Sequence, residues 1–353
     1  MALIDRLRAV PTDLKVRRLD RESGRHSQWI PDVAPGSVVR FTGDRSLSNR
    51  RGSVEHYWHY LLGFLLPLSH ALQTRTNLVD EARLIVPSCG PVMDRCTSQL
   101  LEALGCDARI EPLPSLAGRT EARSEGGHAG DAGDARDAGT SGAHSDGEQP
   151  VDVTIALPRW DRAITRPDID PRVVAELLAS ATSLRELADG HGCCRGEEPG
   201  GRHLLLARAP SHPFYEAGGG AENPGYGAAR RALAGLDECA AALEAQGIPA
   251  VVYAPASHSV FCQARTFALA AGWVGLHGAE MVNMVWSDPR SPQIDLRPRG
   301  ELSNPQRDVA RILRSSGFTE VHIGSDSVVV LDPSLVARLV TEHHERREST
   351  DGP

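Results

Sequence analysis

Three stretches of the sequence gather side chains capable of chemistry. The first, Glu55-His56-Tyr57-Trp58-His59, opens an apolar run. A neutral imidazole there can take a proton from a hydroxyl near neutral pH. At 100° per residue His56, His59 and Gly63 fall on one stripe, apart from Leu61 and Leu65. That spacing predicts imidazoles turned towards a cleft while the leucines anchor the helix. Glu55, four residues before His59, is the nearest carboxylate able to orient it. A histidine held at a core boundary by backbone bonds is the plainer alternative.

The second stretch runs from Gln263 through His277-Gly278-Ala279 to Asn283. A strand ending at Leu276, a turn at His277-Gly278 and a helix from Ala279 to Trp286 would present free backbone N–H groups and a positive dipole end. That suits a phosphate or diphosphate. Gly278 lets the backbone approach such a group closely, and His277 can donate to a phosphate oxygen. Arg208, ending Leu204-Leu-Leu-Ala-Arg, adds a cation. Gln263 and Asn283 either reach the same site or make helix-face hydrogen bonds. In the third stretch, Gln293-Ile-Asp295-Leu, Asp295 stands where a carboxylate could accept from a ribose diol; a capping role fits it equally.

The elements that must position these residues follow a βαβ rhythm. Expected strands are Ser37–Phe41, Arg83–Pro87, Ala108–Leu113 and Val151–Pro158, with helices Val54–Arg75, Asp94–Gly105 and Arg172–Leu184. Residues 188–201 read as a linker. Beyond them come strand His203–Arg208, helix Ala228–Gln246, strand Ala250–Ala254, helix Ser259–Ala270, strand Trp273–Leu276 and strand Gln293–Leu296. Helix Pro305–Ser315, strand-like 320–331 and a last helix from Pro333 to about Arg346 close the chain. The expected fold class is α/β: two Rossmann-like domains facing each other across a cleft, residues 1–187 and 202–353. Residues 117–149 lack large apolar side chains and read as a disordered insertion.

Composition excludes several classes. The 353 residues carry a formal charge of −8. Seven acids and two arginines in Glu121–Glu148 account for −5 of it, so the rest is near neutral. No basic face marks a nucleic-acid binder, and no apolar run is long enough to span a membrane. Lys15 is the single lysine; Arg supplies every other basic residue, a coding bias that discounts Arg clusters. Seven cysteines without regular spacing point to free thiols in a reducing, cytoplasmic setting. His191, Cys193, Cys194 and His203 lack metal-ligand spacing. No dinucleotide fingerprint, Walker loop or hydrolase elbow occurs.

Gln263, the apolar stretch Ala264 to Gly275, the run His277-Gly278-Ala279-Glu280-Met281-Val282-Asn283-Met284-Val285-Trp286, and Ile294-Asp295-Leu296 together resemble glycosyltransferase family 61. Arg208, Arg230 and Arg231, and Tyr57-Trp58-His59-Tyr60 leading to Leu66-Pro67, match further positions. Three positions depart: Glu280 for Gly, Asp295 for Glu, and Gly63 where many members have an acid four residues after the histidine. The resemblance implies a GT-B fold and inverting, metal-independent transfer of a sugar from a nucleotide sugar, often UDP-linked, to an acceptor hydroxyl. His59 would be the base, with Glu55 and His56 beside it. Arg208, Gln263, His277, Gly278, Ala279, Asn283 and Asp295 would hold the donor. Gly63 and Glu280 keep open a catalytically inactive binding or partner protein of the same fold.

Overall fold

The computed structural model describes residues 33–42, 56–111, 152–191, 200–210, 212, 231–300, 304–324, 326 and 328–350. The expected insertion 117–149, Glu55 and Arg230 lie outside them. Among the described residues no helix is long and apolar enough to cross a membrane.

In the amino-terminal half, β1 (Val38–Thr42), β2 (Arg83–Pro87), β3 (Ala108–Glu111) and β4 (Asp152–Ala156) form one parallel sheet in the order β3-β2-β1-β4. Helix α1 follows β1 and is continuous from Tyr57–Tyr60 through a π-helical turn, Leu61–Leu65, to Leu66–Thr74. Then come α2 (Thr76–Asp80), α3 (Pro91–Ala103), α4 (Trp160–Ala163) and α5 (Pro171–His191). In the carboxy-terminal half, β5 (His203–Leu206), β7 (Ala250–Tyr253), β8 (Gly272–Leu276), β9 (Gln293–Pro298) and β10 (Phe318–Ile323) form a second parallel sheet, ordered β10-β9-β8-β5-β7. Short strands β6 (Ala232–Ala234) and β11 (Val328–Val330) pair separately. The remaining helices are α6 (Leu236–Glu244), α7 (Val260–Leu269), a 3₁₀ helix Ala279–Trp286, α8 (Pro305–Leu313) and α9 (Pro333–Thr350).

Both sheets are doubly wound. The direction of winding reverses between β1 and β4 in the first sheet and between β5 and β8 in the second. Ligands of such sheets bind outside the carboxyl ends of the strands at the reversal, because the chains there diverge to opposite faces and leave a crevice. The strand sequences follow from burial on both faces: β5 and β8 are buried at every position. Leu205, Val274, Ile294 and Leu296 face a core shared with α6 and α9. Leu204, Leu206 and Trp273 face the opposite way, into a core continuous with the amino-terminal sheet through α1, α5 and α7. Because strand side chains alternate, Asp295 and Arg208 point to that second face.

Several expectations need correction. One apolar core spans residues of both halves, and α5 runs on to His191, into the segment expected to be the linker. The expected helix Ala228–Gln246 is a strand and a shorter helix, because Gly235 at φ 80° is left-handed and cannot continue either element. Gly63 is buried with Leu61, Leu62, Phe64 and Leu65, whereas His56 and His59 are partly exposed, so of the expected stripe only the first turn of α1 is open. Cys262 is disulfide-bonded, whereas Cys89, Cys96, Cys106 and Cys239 are free. The cysteines therefore give no argument for a reducing compartment.

Candidate functional site

The first turn of α1 and the short helix α4 build a histidine–carboxylate pair. His59 Nδ1 lies 2.6 Å from Asp161 Oδ2. Asp161 is fully enclosed, while a quarter of the His59 side chain remains exposed. Arg159 grips the same carboxylate with two bonds, Nε to Oδ1 at 2.7 Å and Nη2 to Oδ2 at 2.6 Å. Burial pushes the Asp161 carboxyl up, but the hydrogen bonds and charges of Arg159 and His59 outweigh it and hold it below the usual carboxylate range. Asp161 is thus an acceptor only, so His59 Nδ1 donates to it and Nε2 is the ring nitrogen turned away from the carboxylate.

Gly63 acquires its meaning here. A Cβ at this position would stand 2.5 Å from Asp161 Oδ1, 3.0 Å from its Cγ and 3.1 Å from Arg159 Nε. Asp161 occupies the space a side chain on residue 63 would fill. The π-helical turn around Gly63 is the kind of local irregularity found at functional sites.

Tyr57, one position from His56 and two from His59, ties this turn to the carboxy-terminal half. Its phenolic proton is shared between Gln263 Oε1 (2.8 Å) and Asn283 Oδ1 (2.9 Å), and Asn283 Nδ2 donates to Gln263 Oε1 (2.9 Å). Gln263 Nε2 then donates to the His258 carbonyl at 3.2 Å. Gln263 is 3 % and Asn283 0 % exposed, and both are buried partners of Tyr57. Burial holds the Tyr57 hydroxyl well above its ordinary pKa. It acts as a neutral hydrogen-bonding post. His56 stands beside the pair, its ring centroid 6.1 Å from that of His59.

The other group of candidates meets at the carboxyl ends of β5 and β8. Arg208 Nη2 donates to the His277 carbonyl (2.8 Å), and Gln306 Nε2, from the first turn of α8, donates to the Gly278 carbonyl (2.8 Å). The Gly278 carbonyl also accepts from the Met281 N–H at 3.2 Å, the first bond of the 3₁₀ helix. Gly278 is extended at φ 176°, so its requirement is space: a Cβ would meet Arg208 Nη2 at 1.9 Å. Glu280 Oε2 lies 3.6 Å from Arg208 Nε and partly neutralises it. The glutamate therefore turns back onto the arginine.

His277 and Asp295 form a second pair, Nδ1 to Oδ2 at 2.9 Å, with Asp295 fully buried. Burial raises the Asp295 carboxyl and the His277 bond offsets this only in part. Asp295 Oδ2 therefore orients His277. With Nδ1 engaged, Nε2 is the nitrogen of His277 left for a ligand. Arg208 Nε, Asp295 Oδ1 and Gln306 Oε1, all around this turn, are buried without a hydrogen-bond partner. Unpaired buried polar atoms are costly and concentrate where a ligand or bound water completes the site.

The structure thus gathers the candidates into two groups, His56 and His59 at the first turn of α1 and Arg208, His277, Gly278, Ala279 and Asp295 around the β8 turn, with Tyr57 reaching from the first to Gln263 and Asn283. Glu55 lies outside the described residues, and Arg231 precedes β6 instead of opening a helix. Asp161, Arg159, Tyr57 and Gln306 are additions. The signal for Asp161 was its place just after an expected strand, a position that matters only once β4 is known to flank the reversal. Among the described residues no group of three or more His, Cys, Asp or Glu is placed to hold a metal ion. Comparison with protein-family models finds no match to the chain, and comparison with curated proteins finds none either.

Proposed function

We propose that the protein is an inverting glycosyltransferase of GT-B type that transfers a sugar from a nucleotide-sugar donor, UDP-linked by the family resemblance, to an acceptor hydroxyl without a metal. The observation that carries this reading is the His59–Asp161 pair, held by Tyr57 against the 3₁₀ helix that follows the His277–Gly278 turn. In this mechanism His59 Nε2 takes the proton of the acceptor hydroxyl as its oxygen attacks the anomeric carbon from the face opposite the leaving group. The bond from that carbon to the diphosphate oxygen breaks, and its electron pair leaves with the nucleoside diphosphate. Arg208, His277 Nε2 and the backbone N–H groups at the start of the 3₁₀ helix would stabilise the departing charge.

The test is a thermal-shift panel of nucleoside diphosphates and nucleotide sugars on the wild type and His59→Ala. A ligand at 100 times its Kd adds about 2.7 kcal/mol of apparent stability. Both proteins should show the shift, and only the wild type should hydrolyse the donor slowly without acceptor. A panel with no shift refutes the reading. One observation favours the binding-protein alternative: Arg208 is already engaged by the His277 carbonyl and Glu280. Ligand binding by a wild type that never turns over would select that alternative.

A further inference from the structure

We infer that Arg159 is the positioning residue that holds Asp161 as a charged acceptor behind His59 Nδ1, a role resting on the reading of His59 as the base. An enclosed carboxylate needs a cation. Were His59 its sole partner, the pair would recruit a proton, either on the imidazole or on the carboxyl, and Nε2 would have no free lone pair or no oriented donor behind it. Arg159 removes that need. It is permanently charged, and its fork takes both oxygens of Asp161 at once. The side chain is itself nearly enclosed, 12 % exposed, so the solvent does not screen it away.

Among the described residues, Arg159 and His59 are the charged partners that act on the Asp161 carboxylate. The π-helical turn packed against α4, Leu61–Leu65, carries no titratable group. From the foot of α1, His56 approaches the edge of His59 at 6.1 Å between ring centroids. Tyr57 is neutral and bonded away to Gln263 and Asn283. From α4 itself only Asp161 reaches the imidazole. Gly63 completes the arrangement, because any side chain there would push into both Asp161 and Arg159. A histidine–carboxylate pair that draws its acid from α4 needs the arginine at the N-cap of the same helix.

The experiment is a nitrogen-15 NMR titration of His59 in the full chain, alongside the pH profile of kcat/KM. In Arg159→Met the pair should take up its proton about 1–3 pH units higher than in the wild type, the usual effect of an adjacent arginine on a carboxylate. The acid limb of kcat/KM should move with it, while kcat at high pH changes less. Arg159→Lys, which keeps the charge and loses the fork, should return the midpoint most of the way. If Arg159→Met fails to fold, Arg159→Gln, neutral but still a donor, carries the same expected upward shift. A folded neutral variant with the wild-type midpoint overturns the inference, as does a lysine variant shifted as far as the methionine one. The NMR midpoint needs no turnover. A shift in a protein that transfers no sugar leaves the role of Arg159 standing and removes the glycosyltransferase reading; an unshifted midpoint in an active enzyme does the reverse.

Discussion

Exchanging the acid between residues 63 and 161 tests the site most directly. Gly63→Ala places a methyl group 2.5 Å from Asp161 Oδ1, where ordinary contact begins at 3.4 Å. The carboxylate must retreat by about 1 Å, since Arg159 Nε at 3.1 Å blocks a sideways move. The His59–Asp161 bond, 2.6 Å long, then stretches to about 3.5 Å and ceases to be a hydrogen bond. Displacing a catalytic group by this much lowers turnover by about 100-fold. Stability changes less: overpacking costs about 1–3 kcal/mol, and alanine returns up to about 1 kcal/mol as a better helix former than glycine. Asp161→Gly alone should also abolish turnover, leaving Arg159 without its carboxylate. In the double variant Gly63→Asp with Asp161→Gly, the new acid stands four residues after His59, within reach of Arg159. It should recover at least tenfold over Asp161→Gly, a coupling of at least about 1.4 kcal/mol. The assays are urea unfolding for each variant and single-turnover sugar transfer. Full activity in Gly63→Ala, or a double variant no better than Asp161→Gly, would refute the reasoning.

Other predictions concern separate parts of the molecule. Gly278→Ala should fold, because the clash is with the flexible end of Arg208; displacing the guanidinium should weaken diphosphate binding by about tenfold or more, measured by calorimetry. Tyr57→Phe strands the Asn283 carbonyl oxygen and should cost about 1–3 kcal/mol in urea unfolding, with turnover falling because the first turn of α1 loosens. Glu176, half-buried on α5 beside Asp170, has its carboxyl pushed up to about 7 by burial and then by that neighbour. Its folded value lies above the unfolded one, so the native state loses stability as pH rises from about 4.5 to about 7. Glu176→Gln should be neutral at pH 4 and stabilising by about 1–2 kcal/mol at pH 8 after allowing for solvent screening, as read from denaturation at both pH values.

The alternating apolar runs determined the α/β class by themselves, because strands buried on both faces must be apolar throughout, as β5 and β8 are. The same local pattern located the His277-Gly278-Ala279 turn between β8 and its helix, and a helix beginning at Ser259, whose hydroxyl accepts from the Cys262 N–H at the start of α7. These features depend on neighbours a few residues apart. The remainder depended on contacts across the chain. Asp161 lies 102 residues from His59, and Tyr57 meets Gln263 and Asn283 at separations of 206 and 226. Read along the chain, Gly63 is a lost acid; in the folded protein it is the vacancy that admits one. Asp295 on its strand can serve a sugar or cap an amide, and only the folded chain sets its Oδ2 against His277. The helical stripe of His56, His59 and Gly63 was sound geometry. What lies opposite a stripe, though, is set by which strands flank the sheet reversal, and that order is fixed when the two halves close over their common core.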